Sequence, residues 1–480
     1  MAARTGEQFL RGLQNDREVW LQGHRVDNVV THDELRGAAH ALAEVFDLQH
    51  EHAERCLMPD PETGELINAS HMIPQSRDDL HQRGRALEAI AEYSVGLMGR
   101  TPDYMNVTYA GFAGRPEEWA INGNEQGAEN LVNYQKKLRR EDISLTHTLV
   151  QPTIDKAFGD VPHAGNTVAL RKIEDTEHGI IVSGARVLST LAPFADELAV
   201  YPGHPLPDGA DDYALSFCIP MSTPGLKFIC RDSVSKTSNL FDHPFSHRFD
   251  EQDAFVIFDR VEVPRERVHM DCNLDVYNFV MSQSWWQNIM QQTTVRALTK
   301  LEFAWGVAAR MVDAINANQP PTLQMLGEIW SYAELTRAAL TAAIADAADA
   351  GNGTWLPDSK PFAAIRACMP AWMVRTNEII RQIGSHNIFC APSRGELDDA
   401  ELRPLLDHYL TGAGDVDAET RARVFRLGWD FAGSGLASRN EQYERFYLGS
   451  ATRNYMMAHM TADRTRADAL VDRFLTEDVP

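Results

Sequence analysis

The hydrophobic period of this chain changes twice, which narrows the folds open to it. Up to about residue 144, apolar residues recur at helical spacing: Leu35, Ala38, Leu42 and Phe46 share one face, and Leu80, Leu87, Ile90 and Ala91 another. From about residue 145 short alternating runs take over. They predict a hairpin turning at 174–179 and strands over 198–201, 214–219 and 254–258. From residue 274 the 3.6-residue period returns, with Ala-rich and Leu-rich stripes suited to packing on one another. The predicted organisation is a helical N-domain over 1–144, a β-domain over 145–273 and a helical bundle over 274–480.

Local signals place the elements. Thr5-Gly6-Glu7-Gln8 fits a capping box opening a helix over 7–13. Residues 19–26 suggest a hairpin around Gly23, and Thr31 is expected to cap a helix running to Gln49. Residues 59–73 read as loop or short strands. Ser76 should cap a helix ending at Gly99, and 117–140 should be helical. In the last segment, helices are expected over 277–315, 323–350, 362–383, 396–410, 418–432 and 440–448, with breaks at Pro320-Pro321 and Pro404.

With 480 residues, 44% of them hydrophobic, a sizeable core is available. The formal net charge of −23 argues against nucleic acid or an anionic membrane as a partner, since both attract a basic face. Cys56, Cys218, Cys230, Cys272, Cys368 and Cys390 are scattered, without CxxC spacing. That is the pattern of free thiols in a reducing cytoplasm, with no metal site implied. No export signal and no membrane-spanning run is evident, so a cytoplasmic location is expected.

Three residues beside element ends carry chemistry. Arg100 follows the helix end at Gly99, and its commonplace role would be to satisfy that helix terminus. Tyr104 could equally be a half-buried aromatic, and His147 a satisfied core histidine. Together, a cation, a phenol and an imidazole would suit a phenolate, provided they converge. The non-periodic loop 202–212, with Gly203 and His204, is long enough for a lid rather than a plain hairpin. Near the C-terminus Arg439, Tyr443 and Glu444 lie on a charged, aromatic helix. Its ordinary reading is a solvated face or subunit contact, and its functional one a phosphate or adenine contact. No GxGxxG or P-loop is present, so a nucleotide would have to be held in some other way.

Several local patterns carry a resemblance: Thr5-Gly6-Glu7-Gln8-Phe9-Leu10, Gly99-Arg100-Thr101-Pro102-Asp103-Tyr104, Leu145-Thr146-His147-Thr148, Ser189-Thr190-Leu191-Ala192-Pro193 and Arg445-Phe446-Tyr447-Leu448-Gly449. With them the chain resembles the 4-hydroxyphenylacetate 3-hydroxylase family, the oxygenase components of two-component flavin monooxygenases. The resemblance implies a mainly α, acyl-CoA-dehydrogenase-like fold with a middle β-domain. It also implies a homotetramer, and reduced FAD delivered by a separate NAD(P)H-dependent flavin reductase. Arg100, Tyr104 and His147 would meet the phenol oxygen. Gln151 and Thr153 would lie against the flavin, where the family usually has Asn-Pro-Gln and this chain has Gln151-Pro152-Thr153. His147 would also border the flavin. Thr190 would approach its reactive edge, and Arg439, Tyr443 and Glu444 would hold its diphosphate or adenine. Gly203 and His204 would sit in a lid over the substrate.

The implied reaction is hydroxylation of a para-substituted phenol, 4-hydroxyphenylacetate first, to a catechol by a C4a-hydroperoxyflavin made with O2. Chlorophenols and tyrosine derivatives, free or carrier-bound, are alternative substrates. Relatives of the same fold ligate an iron–sulfur cluster with cysteines. Here Arg100 and Tyr104 stand at two of those places and 291–301 holds neither His nor Cys, so that chemistry is excluded. An acyl-CoA-dehydrogenase-type flavoenzyme and a flavin-free helical scaffold remain as alternatives.

Overall fold

In the computed structural model, residues 3–153, 166–236 and 239–476 are described. The first part is helical: α1 (Gly6–Gly12), α2 (Arg36–Glu51), α3 (Arg77–Tyr93), α4 (Pro102–Ala113) and α5 (Glu125–Arg140). Thr5 caps α1 through the expected box, and the Ser76 hydroxyl accepts from the Asp79 N–H at the start of α3. Thr31 does not cap α2. The Asn28 side chain accepts from the Val30 N–H and orders a turn there, so the helix starts only at Arg36. α3 stops at Tyr93, short of Gly99, because Val95 and Gly96 enter the left-handed region at φ 48° and 72°. Leu97 and Met98 are still buried, in irregular backbone. A left-handed Asn122-Gly123 turn likewise holds back α5, which starts at Glu125 rather than near 117.

Among the described residues, ten strands build two sheets: β1 (Glu18–Leu21), β2 (His24–Arg25), β3 (Leu145–Thr148), β4 (Arg171–Asp175), β5 (Gly179–Thr190), β6 (Glu197–Val200), β7 (Leu215–Pro220), β8 (Leu226–Cys230), β9 (Asp253–Pro264) and β10 (Val268–Asp271). The larger sheet runs β2-β1-β8-β9-β5-β4 and the smaller β10-β7-β6-β3. The pairs β1–β8 and β3–β6 are parallel. Phe217 and Ile219 of the small sheet share a dry core with Phe228, Val256 and Phe258 of the large one. The hairpin around Gly23 is therefore not confined to the helical part: β1 pairs with β8 and completes the middle sheet. Two further short two-stranded ribbons occur, one at Leu57–Pro59 and Leu66–Asn68, the other at Ala348–Asp349 and Trp355–Leu356.

The last part opens with α6 (Leu274–Val280), separate from α7 (Trp286–Ile315) where one helix was expected. It continues through α8 (Pro320–Ala345), α9 (Ser359–Gly384), α10 (Ala418–Ala432), α11 (Gly435–Phe446), α12 (Ala451–Thr461) and α13 (Thr465–Thr476). Pro320 occupies the first turn of α8, where its missing N–H costs nothing. The span expected over 396–410 is two short helices, Arg394–Asp398 and Arg403–Tyr409, with Pro404 in the first turn of the second. Helices α7, α8, α9 and α10 pack on one another as a four-helix bundle. The N-terminal half of α7 is buried almost all round, polar residues included, and passes directly behind α4. That places α4, the β3–β5 edge and α11 around one cleft.

Candidate active site

An open cleft of about 860 Å³ lies between the β-domain and α11. Leu149, Val187, Leu188, Ile229, Phe255 and Phe446 make its apolar walls, and Arg100, His147, Thr190 and Tyr443 stand among them. Strand alternation explains His147. Thr146 and Thr148 turn inward and donate hydroxyl protons to the backbone oxygens of Thr190 and Leu188, so His147 faces the other way, toward the cleft. There its ring stacks on Tyr104 with centroids 5.5 Å apart, and Tyr201 lies 5.6 Å away on another side. The Arg100 guanidinium covers the Tyr104 ring at 3.9 Å. Thus Arg100 and Tyr104, from one stretch of chain, and His147, from another, form one cluster. Tyr201, not singled out by sequence, closes it.

Arg100 is fixed from both ends. Its backbone N–H donates to Glu251 Oε1 at 2.6 Å, and its Nη1 donates to Tyr443 Oη at 2.5 Å and to the Gly99 carbonyl at 3.2 Å. Burial opposes its charge, but the facing Tyr104 and Tyr443 oxygens and Glu251 outweigh burial and leave its pKa raised. Burial first, and then the Arg100 charge, push the His147 pKa well below the usual imidazole value, so the ring is neutral at neutral pH. Its Nδ1 has no partner among the described residues.

Two carboxylates organise the floor. Glu251 Oε2 accepts from Arg439 Nη1 at 2.8 Å. Asp253 accepts from Thr190 Oγ1 at 2.7 Å, from Arg439 Nη2 at 2.7 Å and from Arg231 Nε at 2.9 Å. Burial disfavours the Asp253 charge, yet Arg439 and Arg231 hold its pKa well below the usual carboxylate range. Glu251 stands just ahead of β9 and Asp253 opens it, with Gln252 at φ 22° between them, and both carboxylates meet Arg439. That acidic pair opposite an isolated arginine was the available sequence signal for them.

The remaining sequence candidates lie elsewhere or have other partners. Arg439 lines the cleft, but its guanidinium is already bound to Glu251 and Asp253, which leaves little of its charge for a diphosphate. Tyr443 lines the cleft one helical turn on. Glu444, one step round α11, points into the protein, where Arg296 and Lys300 take up its carboxylate. Gln151 is buried outside the lining, with its Oε1 accepting from the Leu170 N–H at 3.2 Å, and Thr153 is exposed. The Gly203 N–H donates to Tyr277 Oη at 3.2 Å, and a Cβ at Gly203 would stand 3.0 Å from Leu149 Cβ, so this loop backs the cleft wall. His204 Nδ1 is 3.4 Å from Arg453 Nη1.

Beside the cluster, Asp103 is buried with its Oδ2 accepting from Gln292 at 3.1 Å. Burial lifts its pKa from 3.8 to about 6. A carboxyl whose folded pKa is raised loses stability for the fold as pH climbs from the unfolded value through the folded one. Asp103→Asn should therefore be more stable than wild type at pH 8, by at most about 3 kcal/mol, with the gap closing by about pH 4. Urea midpoints across that range measure it. A gap that stays constant with pH would show that Asp103 does not titrate.

A profile described as 4-hydroxyphenylacetate 3-hydroxylase N terminal matches residues 5–270, and its C-terminal counterpart matches 276–476. The oxygenase component of 4-hydroxyphenylacetate 3-monooxygenase from Thermus thermophilus is 34% identical over 99% of this chain and 98% of its own length. A 4-nitrophenol 2-monooxygenase oxygenase component from Rhodococcus is 31% identical over 93% of this chain and 85% of its own. Among solved structures, the oxygenase component of 4-hydroxyphenylacetate 3-monooxygenase complexed with FAD and 4-hydroxyphenylacetate superimposes with a TM-score of 0.93, 33% identity and 98% of both chains covered. In fold alone, the chain is also like an archaeal 4-hydroxybutyryl-CoA dehydratase, with a TM-score of 0.87 at 20% identity. It is less like glutaryl-coenzyme A dehydrogenase, at 0.50 and 13%.

Proposed function

The chain belongs to the 4-hydroxyphenylacetate 3-hydroxylase family, and from that premise we propose that it is the FADH2-dependent oxygenase component of a two-component monooxygenase. It hydroxylates a para-substituted phenol, 4-hydroxyphenylacetate first, at the position ortho to the hydroxyl, giving a catechol. The observation that carries this reading is the Arg100–Tyr104–His147 cluster on the wall of a cleft with apolar sides.

The cleft suits a flavin ring. Its walls are apolar, Thr190 stands at the edge with its hydroxyl proton given to Asp253 and its oxygen left to accept, and the cations Arg231 and Arg439 are paired with acids. Bound there, reduced FAD supplies two electrons to O2, so that one oxygen atom goes to the ring and the other leaves as water. The protein's own part is to bind, orient and keep dry. Arg100, permanently charged, stabilises the phenolate that activates the ortho carbon. Tyr104 and neutral His147 hydrogen-bond the same oxygen. With its imidazolium form disfavoured, His147 passes a proton on rather than storing it. The apolar walls and the loop bearing Gly203 and His204 exclude water, which would divert oxygen to hydrogen peroxide.

The partners are a phenolic substrate and an NAD(P)H-dependent flavin reductase. Assembly as a homotetramer is supported by apolar side chains left exposed on α8 (Leu323, Trp330, Leu335) and on the last two helices (Met460, Phe474, Leu475). A cytoplasmic setting is supported by six cysteines of which none is paired. No helix among the described residues is long and apolar enough to cross a membrane.

The test is to mix photoreduced FAD and protein with oxygenated buffer, with and without 4-hydroxyphenylacetate, and to assay the products. A transient near-ultraviolet absorbance and a catechol are expected. The transient without catechol would redirect the substrate to other phenols. Flavin that oxidises as though free in solution would overturn the reading.

A further inference from the structure

Tyr443 occupies a place that neither the cofactor assignment suggested by sequence nor the Arg100–Tyr104–His147 cluster accounts for. Its hydroxyl oxygen accepts from Arg100 Nη1 at 2.5 Å. A phenol that accepts from a cation still has its own proton to give, and Tyr443 donates no hydrogen bond to another described residue. The ring lines the cleft beside Arg100 and His147. Burial raises its pKa against the opposing charges of Arg100 and Arg296, so the group stays protonated and remains a donor.

The surroundings are built for this contact. A Cβ at residue 99 would lie 2.1 Å from Tyr443 Oη, so only Gly99 lets the hydroxyl reach Arg100. Tyr447 stacks on the ring at 4.6 Å and 10°. Arg439 and Arg296 flank it at 5.1 and 5.6 Å from the ring centroid, the latter anchored by Glu444. Tyr447, Arg439, Arg296 and Glu444, with the bare backbone at Gly99, thus hold one hydroxyl in register with the cation that, in the function proposed above, binds the phenol oxygen.

We propose that Tyr443 is a further member of the phenol-oxygen site, donating a hydrogen bond to the substrate's oxygen alongside Arg100 rather than holding the flavin. The inference rests on the phenol-binding role of Arg100. It makes the site one in which a bound phenol is ionised more readily than in water, by a cation and a neutral donor locked to each other.

4-Nitrophenol serves as the probe, because its visible absorbance reports ionisation. Full-length protein without added flavin is titrated with pH, with the probe bound. In wild type the ionisation midpoint of the bound probe should fall below that of the free probe. Tyr443→Phe, which keeps the ring and its stacking, should raise that midpoint by about one pH unit. The same rise should occur in an Arg100→Lys background, because the donor acts on the ligand itself. Affinity for reduced FAD should change less than about twofold. A midpoint unmoved by Tyr443→Phe overturns the proposal, as does a shift confined to the Arg100 background, which would make Tyr443 a positioning residue only. Loss of flavin affinity with an unmoved probe would return Tyr443 to the cofactor. Failure of wild type to bind the probe at all would overturn the phenol-site reading as well, and so separates the two failures.

Discussion

Arg100→Ala should fold, bind reduced FAD and consume oxygen, yet yield catechol per flavin oxidised at about one-hundredth of the wild-type ratio or less, with the oxygen appearing as hydrogen peroxide. The size follows from what the residue contributes. It is a buried guanidinium, kept charged by its neighbours, with Tyr104 beneath it at 3.9 Å and Tyr443 beside it at 2.5 Å. Its fixed charge stabilises negative charge on a phenol oxygen without reorganisation during the reaction. Losing one such preorganised interaction typically costs about 3 to 4 kcal/mol of barrier. The folding cost is smaller, because the anchoring hydrogen bond to Glu251 uses the Arg100 backbone N–H, which alanine retains. Arg100→Lys separates charge from shape. Lysine keeps the cation but loses the planar stack and the second donor, so an intermediate ratio is expected. His147→Ala should uncouple less severely, since a neutral ring contributes a hydrogen bond and not a charge. Simultaneous assays of catechol and peroxide read all three variants. Wild-type coupling in Arg100→Ala would remove the residue from the phenol site.

How much of this was legible beforehand depended on whether a residue's role is set locally. The change of period at about residue 145 and its return near 274 follow from the different side-chain repeats of helix and strand, and both were visible. The Thr5 box and the Ser76 cap were visible for the same reason, being satisfied within four residues. The early end of α3 was not. Nothing in an apolar run announces that Val95 will adopt a positive φ, because the surrounding packing imposes it. Likewise β1 reads as half of a local hairpin, while its other edge pairs with a strand more than two hundred residues away. At the site, Arg100, Tyr104 and His147 were legible through a family resemblance, and their convergence only through the fold. Glu251 and Asp253 escaped notice because an acidic pair before a strand looks like any solvated turn. Their importance comes from Arg439, a residue on α11.

Glu444 shows the converse, since the family resemblance suggested a cofactor contact and the fold sets its carboxylate between two buried cations. Its carboxylate accepts from Arg296 at 2.9 and 3.1 Å and from Lys300 at 2.9 Å, and the side chain is only 1% exposed. Burial alone would raise its pKa, but the two cations outweigh burial and bring it down from 4.5 to about 2. A depressed folded pKa contributes stability that is complete above the unfolded value and is lost as pH falls toward the folded one. Here that is about 3 kcal/mol, given up between about pH 4.5 and 2. Glu444→Ala should therefore destabilise the protein by about 3–5 kcal/mol at neutral pH, because it strands charge in the interior. The burden falls on Arg296, which cannot shed its proton. Lys300, whose pKa burial already lowers, can become neutral. Replacing Glu444, Arg296 and Lys300 together with apolar residues of matching volume should recover most of the loss, since no unpaired charge then remains. That triple variant should still uncouple, because Tyr443 would lose Arg296 from one face and with it the register on Arg100. Denaturant midpoints and coupling ratios measured on the same preparations decide the matter. A stable Glu444→Ala protein with impaired flavin binding would restore the cofactor role, whereas an unstable one whose surviving folded fraction binds flavin normally would assign Glu444 to the scaffold behind the phenol site.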